Sequence, residues 1–180
     1  MALIEFLRRH RIALSAGVAV LLVYLARPTP LSIVAGLPLV LAGESIRTWS
    51  SGHIRKNKQL ATDGPYAYSR NPLYLGSFVL GLGFAVSGNS AWVVGIFLAA
   101  FGGMYTSVIQ SEERDLARVF GAEFELYRRT VPRFLPRLRR RPYGGGEFDW
   151  ALVHKHREYQ AWFGIAAGLA LLAVQAAWAH

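Results

Sequence analysis

Five stretches of the chain are almost free of charge: Ile12 to Ala26, Leu31 to Gly43, Pro72 to Val86, Ala91 to Ile109 and Ala161 to Ala179. A helix that crosses a bilayer needs about 20 apolar residues, within a range of roughly 17–25. The fourth and fifth stretches meet that requirement, and Gln175 is the only strongly polar side chain in the fifth. The first and second are short, but flanking Arg side chains can snorkel and lengthen them. The third is short and rich in Gly, which predicts close helix contacts. Arg27-Pro28-Thr29-Pro30 and Ser87-Gly88-Asn89-Ser90 read as tight turns. Each therefore joins its flanking stretches into a helical hairpin. A soluble bundle would need polar outer faces, which these stretches lack. The pattern predicts an all-α, polytopic membrane protein with about five transmembrane helices.

Composition agrees. The 180 residues are 53% hydrophobic and 17% charged, against about 25% charged in soluble chains. Twenty Lys and Arg face 11 Asp and Glu, for a net charge of +9. Such a balance suits nucleic acid or an anionic membrane face. The long uncharged stretches decide for membrane lipids and against nucleic acid. The absence of Cys excludes disulfides, thiolate catalysis and Cys-ligated zinc. If all five stretches span, Arg8, Arg9, Arg11, the basic residues from Arg47 to Arg70 and those from Arg114 to Arg157 share one side. Only Arg27 falls on the other. The positive-inside rule then puts the N-terminus and both long linkers in the cytoplasm and His180 outside. The first stretch lacks a convincing small-residue cleavage site, so it reads as a retained helix. No internal repeat is evident.

The chemistry lies in the polar parts. Glu44, near the end of the second stretch, is a functional candidate at membrane depth, with an ion pair to Arg47 as the plainer reading. The first linker ends in Gly64-Pro65-Tyr66-Ala67-Tyr68-Ser69-Arg70-Asn71-Pro72-Leu73-Tyr74. Gly64-Pro65 predicts a turn. Pro72 suits a first helical position, with Asn71 as its N-cap. The free N–H groups of that helix start favour an anionic group, and Arg70 adds a charged donor. Tyr66, Tyr68 and Tyr74 form either an interfacial belt or a pocket wall.

Beyond the fourth stretch, Leu116, Val119, Phe120, Phe124 and Tyr127 recur at helical spacing and mark one face. The helix either continues the fourth stretch or breaks near Ser111. Adjacent Glu112 and Glu113 point about 100° apart, so they are not expected to chelate one ligand together. Gly121 interrupts the helix without ending it. Val131-Pro132 and Leu135-Pro136 predict an irregular extended strip. Arg137, Arg139, Arg140 and Arg141 suit anionic lipid heads. Gly144-Gly145-Gly146 reads as a flexible linker, and Trp150 and Trp162 as interfacial anchors. The five His residues form no zinc-like set, and no nucleophile triad or phosphate-binding loop occurs.

Gly64-Pro65-Tyr66 with Arg70-Asn71-Pro72-Leu73-Tyr74-Leu75-Gly76 resembles the signature of the integral-membrane methyltransferases. That group includes isoprenylcysteine carboxyl methyltransferases and phospholipid N-methyltransferases. Glu112-Glu113, Leu116, Phe120-Gly121, Glu123-Phe124, Tyr127 and Val131-Pro132 resemble the family's acidic-pair helix, in order. Gly43, Arg47 and Lys58-Gln59-Leu60 also fit, so the resemblance runs from about Gly43 to Pro136.

The resemblance implies S-adenosylmethionine as methyl donor, held in a pocket at the cytoplasmic interface. Lys58, Gln59, Leu60 and Ala61 would line it. Tyr66 would pack on it, and Arg70, Asn71, Pro72, Leu73 and Tyr74 would hold it at the helix start. Glu112 would accept its hydrogen bonds, Glu113 would support or replace Glu112, and Tyr127 with the strip 131–136 would close the pocket. The implied acceptor is a lipid or other lipophilic small molecule, for which Glu113, Tyr74 and Glu44 are contact candidates. The organisation expected is an N-terminal hairpin (1–47), a methyltransferase core (48–141), and a linker with a C-terminal transmembrane helix (142–180). No metal and no particular catalytic residue are implied. Many members have His where this chain has Asn71, so a titrating base there is unsupported. Prenylcysteine methyltransferases carry an Arg where this chain has Val108, which argues against carboxyl methylation of a prenylcysteine. The competing readings are a non-enzymatic scaffold or transporter, and a nicotinamide-dependent membrane reductase.

Overall fold

In the computed structural model, residues 17, 20–55, 59–137 and 146–178 are described, and no strand occurs among them. A helical segment, α1, covers 20–25 and leads into the turn at Arg27. There the Arg27 amide donates to the Gly88 carbonyl (2.7 Å) and Asn89 Nδ2 donates to the Arg27 carbonyl (3.2 Å), so the two short turns meet.

Helix α2 runs Pro30–Ser51. Thr29 caps it: its Oγ1 accepts from the Ser32 amide (3.1 Å), and Ser32 Oγ accepts from the Thr29 amide (2.9 Å). Two orphan amides are thereby satisfied, and Pro30 needs no donor at the first position. The helix continues well past the apolar stretch that ends at Gly43. Its late hydroxyls bond back to the preceding turn, as Ser50 Oγ does to the Ile46 carbonyl (2.6 Å).

Helix α3, Pro72–Ser87, lies against α2 at backbone-contact distance. A Cβ on Gly83 would sit 2.6 Å from the Val40 amide nitrogen, and one on Gly43 would sit 2.3 Å from that of Leu80. Only glycine allows this approach. Helix α4, Ala91–Thr130, meets α3 instead through rings, with Phe78 against Phe101 (5.0 Å) and Phe101 stacked on Tyr105 (3.9 Å). It passes Ser111 unbroken and kinks at Gly121 (φ 49, ψ −120), a conformation that suits glycine alone. Short α5 (Trp150–Lys155) precedes α6 (Tyr159–Trp178), and Gln175 Nε2 ties α6 to the Val23 carbonyl (2.9 Å).

Two buried clusters mark the ends of the molecule. Ala26, Ala85, Val93 and Leu172 join four segments near the turns. Leu60, Phe124, Tyr127 and Val131 join the first linker to the end of α4.

The protein is all-α and integral to the membrane. Three described helices are long and apolar enough to cross it: α2, α4 and α6. These three are counted among the described residues only, and the expected number of about five is neither reached nor excluded by them. Helix α3 has 16 residues, or roughly 24 Å at about 1.5 Å per residue, short of the roughly 30 Å hydrocarbon core. Its length is limited by Asn71-Pro72 at one end and Gly88 at the other. Most of the first apolar stretch lies outside the described residues.

Candidate active site

The site grows from the start of α3. Gly64–Ala67 forms a 3-10 turn that buries Tyr66, and the Tyr127 hydroxyl of α4 donates to the Tyr66 carbonyl (2.7 Å). Burial pushes the Tyr66 phenol well above its ordinary pKa, and the neighbouring Tyr127 and Glu112 add to the rise.

Asn71 occupies the N-cap position, but its side chain does not cap. Nδ2 donates instead to the Arg133 carbonyl (2.9 Å) and to Glu113 Oε1 (3.3 Å). The strip after α4 pairs with this loop. The Arg70 amide donates to the Pro132 carbonyl (2.9 Å), the Arg137 amide to the Tyr68 carbonyl (3.1 Å), and Ser69 Oγ to the Phe134 carbonyl (2.8 Å). These bonds satisfy the backbone of two irregular segments at once.

The two adjacent carboxylates have different environments. Glu113 is buried and faces two guanidinium groups, Arg70 Nη2 at 3.3 Å and Arg133 Nη2 at 3.0 Å. Glu112 is exposed and accepts from the Tyr74 hydroxyl (2.7 Å). Arg70 is drawn below its ordinary pKa by burial, against the opposing pull of Glu113. Its Nε and Nη1 atoms are buried without a hydrogen-bond partner among the described residues.

A cavity of about 330 Å³ joins these groups, within the roughly 300–1,000 Å³ usual for small-molecule sites. Of the residues named from the sequence, Gln59, Leu60, Ala61, Tyr66, Arg70, Asn71, Leu73, Tyr74, Glu112, Glu113 and Tyr127 line it. Pro72 is buried at the helix start and is not in the lining, and Lys58 lies outside the described residues. The strip 131–136 does not line it either; it backs the Asn71 loop from behind. Tyr66 and Tyr74 are pocket wall, whereas Tyr68 packs on Trp49 (6.3 Å).

Glu44 stands apart from the cavity. It pairs with Arg47 (3.4 Å) and accepts from Thr48 Oγ1 (3.1 Å) and Trp162 Nε1 (2.8 Å). The ion pair with Arg47, the plainer reading of Glu44, is the one the structure shows, and Oε1 is further engaged by Thr48 and Trp162.

Seven further residues line the cavity that the sequence motifs do not point to as site residues: Ile54, Arg55, Asp115, Leu116, Val119, Phe120 and Phe124. Helical spacing already marked Leu116, Val119, Phe120 and Phe124 as one face, but that face reads equally as packing. For Ile54 and Arg55 the only signal is their place just before the linker. Among the described residues no three His, Asp or Glu side chains come together as a metal site.

Comparison with known proteins places the chain in a family. The family model described as phospholipid methyltransferase matches residues 31–123. The chain is 38% identical over 149 residues to the cobalt-zinc-cadmium resistance protein CzcN of Cupriavidus metallidurans, covering 76% of this chain and 68% of that one. It is 42% identical over 94 residues to the nickel-cobalt-cadmium resistance protein NccN of Alcaligenes xylosoxydans xylosoxydans, covering 51% and 44%. It is 33% identical over 98 residues to the protein-S-isoprenylcysteine O-methyltransferase of Schizosaccharomyces pombe, covering 54% and 42%. The chain thus spans less than half of the latter two. No solved structure matches significantly.

Proposed function

The chain belongs to the phospholipid methyltransferase family, and from that premise we propose that it transfers a methyl group from S-adenosylmethionine to a lipophilic acceptor at the cytoplasmic face of the membrane. The observation that carries the proposal is the single cavity shared by the start of α3 and the Glu112-Glu113 pair.

The residues of the cavity suit such a donor. Arg70 has two buried nitrogens, Nε and Nη1, without hydrogen-bond partners among the described residues, as a site for a carboxylate requires. Glu112 is exposed, pairs with no cation among the described residues and is open to a ligand's amine or hydroxyl groups, with the Tyr74 hydroxyl donating to it. Glu113 keeps Arg70 charged and in place. Leu60, Leu116 and Phe120 supply apolar wall.

When bound, the donor supplies an electrophilic methyl carbon on a sulfonium, and its displacement needs alignment and a partly dry site more than a strong acid or base. Arg70 and Glu112 orient, Tyr66 and the apolar wall exclude water, and the membrane side admits the acceptor. Residues 48–141 are the working core in this proposal. The basic linkers face the cytoplasm, by the positive-inside rule.

Purified protein in detergent is expected to bind S-adenosylhomocysteine, and Glu112→Ala to weaken binding at least about tenfold, the loss of one charge-assisted hydrogen bond of roughly 1.5–3 kcal/mol. Unchanged affinity in the variant removes Glu112 from the site. Labelled methyl donor incubated with membranes, followed by identification of the labelled product, names the acceptor.

A further inference from the structure

The family match ends at residue 123, yet the segment that leads into α6 is fastened to the part of α2 that feeds the cavity. The Asp149 amide donates to the Gly52 carbonyl (3.1 Å), and His156 Nδ1 lies 3.1 Å from the Ser51 carbonyl. The Phe148 ring covers Gly52, where a Cβ would meet it at 2.3 Å. Two residues later than His156, the buried Glu158 reaches the guanidinium of Arg47 through Oε1.

Arg47 is the hub. Its Nη2 forms an ion pair with Glu158 Oε1, its Nη1 donates to Ser77 Oγ on α3, and its Nε faces Glu44 Oε2 as a second ion pair. Ser77 Oγ passes the link on by donating to the Leu73 carbonyl (3.0 Å). Leu73 and Tyr74, in that same turn, line the cavity. The guanidinium fork can serve two partners in fixed directions, which a single ammonium cannot. It lies along the close contact of α2 with α3, with its Cγ 2.8 Å from the Cβ that Gly76 lacks.

We infer that Arg47 and Glu158 form a positioning clamp, through which the C-terminal segment holds the first turn of α3 in the geometry the cavity needs. Helix α6 is then part of the working site and not only a membrane anchor. Neither residue touches the cavity; both act through Ser77 and the Leu73 turn. A buried pair of this kind is a poor source of net stability, because desolvation offsets the attraction, but it fixes one arrangement.

The inference rests on the cofactor reading for its meaning, and its test does not. Full-length protein in detergent is compared as wild type, Arg47→Met, Glu158→Ala and the double variant. Amide hydrogen exchange at Leu75 to Ser77 is read against the remote Arg27 amide in the opposite turn. The clamp predicts exchange at least about tenfold faster in the first turn of α3 and unchanged at Arg27, with the double variant no worse than the worse single one. Ser77→Ala cuts the link to α3 while leaving the ion pair, and is expected to give the same local loosening should either charge variant fail to fold. S-adenosylhomocysteine affinity is expected to fall about fivefold in each. First-turn exchange within twofold of wild type, equal acceleration at Arg27, or additive effects of the two substitutions would overturn the clamp. A wild-type protein that binds no S-adenosylhomocysteine would instead end the cofactor reading, with the exchange result still deciding the clamp.

Discussion

Glu112 and Glu113 are neighbours in sequence and differ in every physical respect that matters. Glu113 is enclosed by Arg70 and Arg133, and Arg70 is itself only 8% exposed. Replacing Glu113 with Gln strands a buried guanidinium, and breaking a buried pair costs about 3–5 kcal/mol. Glu112 is exposed, and a neutral replacement there should change stability by less than about 0.5 kcal/mol. Chemical denaturation of the two Gln variants in detergent checks the contrast, and equal losses would refute it. Tyr127→Phe should cost about 1–3 kcal/mol, since the buried Tyr66 carbonyl loses its donor. The Tyr66 phenol carries its own pH signature. Its folded pKa is raised, so its contribution is fully present below the unfolded value of about 10 and is lost as pH rises above it. Melting temperature should hold level from pH 7 to 9 and fall above about 10, with a shallower fall in Tyr66→Phe.

At the scale of elements, glycine has two uses. In the α2–α3 contact it permits backbone approach. Gly83→Ala would press a methyl against the Val40 amide and the Gly36 carbonyl. The helices must separate, at about 1–3 kcal/mol. A Cβ on Gly95 or Gly103 of α4 would meet nothing within 4 Å among the described residues, so Ala there should be neutral or stabilise by up to about 1 kcal/mol. Melting temperatures of the three variants separate the cases. Gly121 has the second use. Its φ of 49 and ψ of −120 turn the last part of α4 so that Phe124 and Tyr127 reach Leu60 and Val131. The helical spacing of these residues was legible in the sequence, and so was the interruption at Gly121. The angle of the kink was not, because a glycine permits many conformations and only the packed cluster selects one.

For the whole molecule, three described helices long and apolar enough to cross a membrane, and a cavity between the start of α3 and the later part of α4, are what the proposed function builds on. The proposed orientation has a direct test, since the chain contains no Cys. Asn89→Cys, in the exposed turn, should react with an impermeant maleimide in intact cells, whereas Arg118→Cys should react only after the membrane is opened. The reverse pattern would invert the topology. Helix α2 runs unbroken across the expected boundary between residues 47 and 48.

What the chain alone determined was helical class, membrane residence and most of the cavity lining. These follow from local facts: uncharged length, Pro and Gly punctuation, and motif residues whose types are demanded by their neighbours. Tertiary structure decided which polar groups are occupied. Asn71 had the position of a cap, but the Arg133 carbonyl and Glu113 claim its side chain. Glu44 had the depth of a functional carboxylate, but Arg47, Thr48 and Trp162 surround it. The sequence offered Arg47 a partner in Glu44, but the tertiary structure brings Glu158, more than a hundred positions away, beside it as well. Spacing along a helix fixes direction within that helix. It carries no information about which distant segment arrives on the facing side, and that arrival decides whether a charge is free to bind.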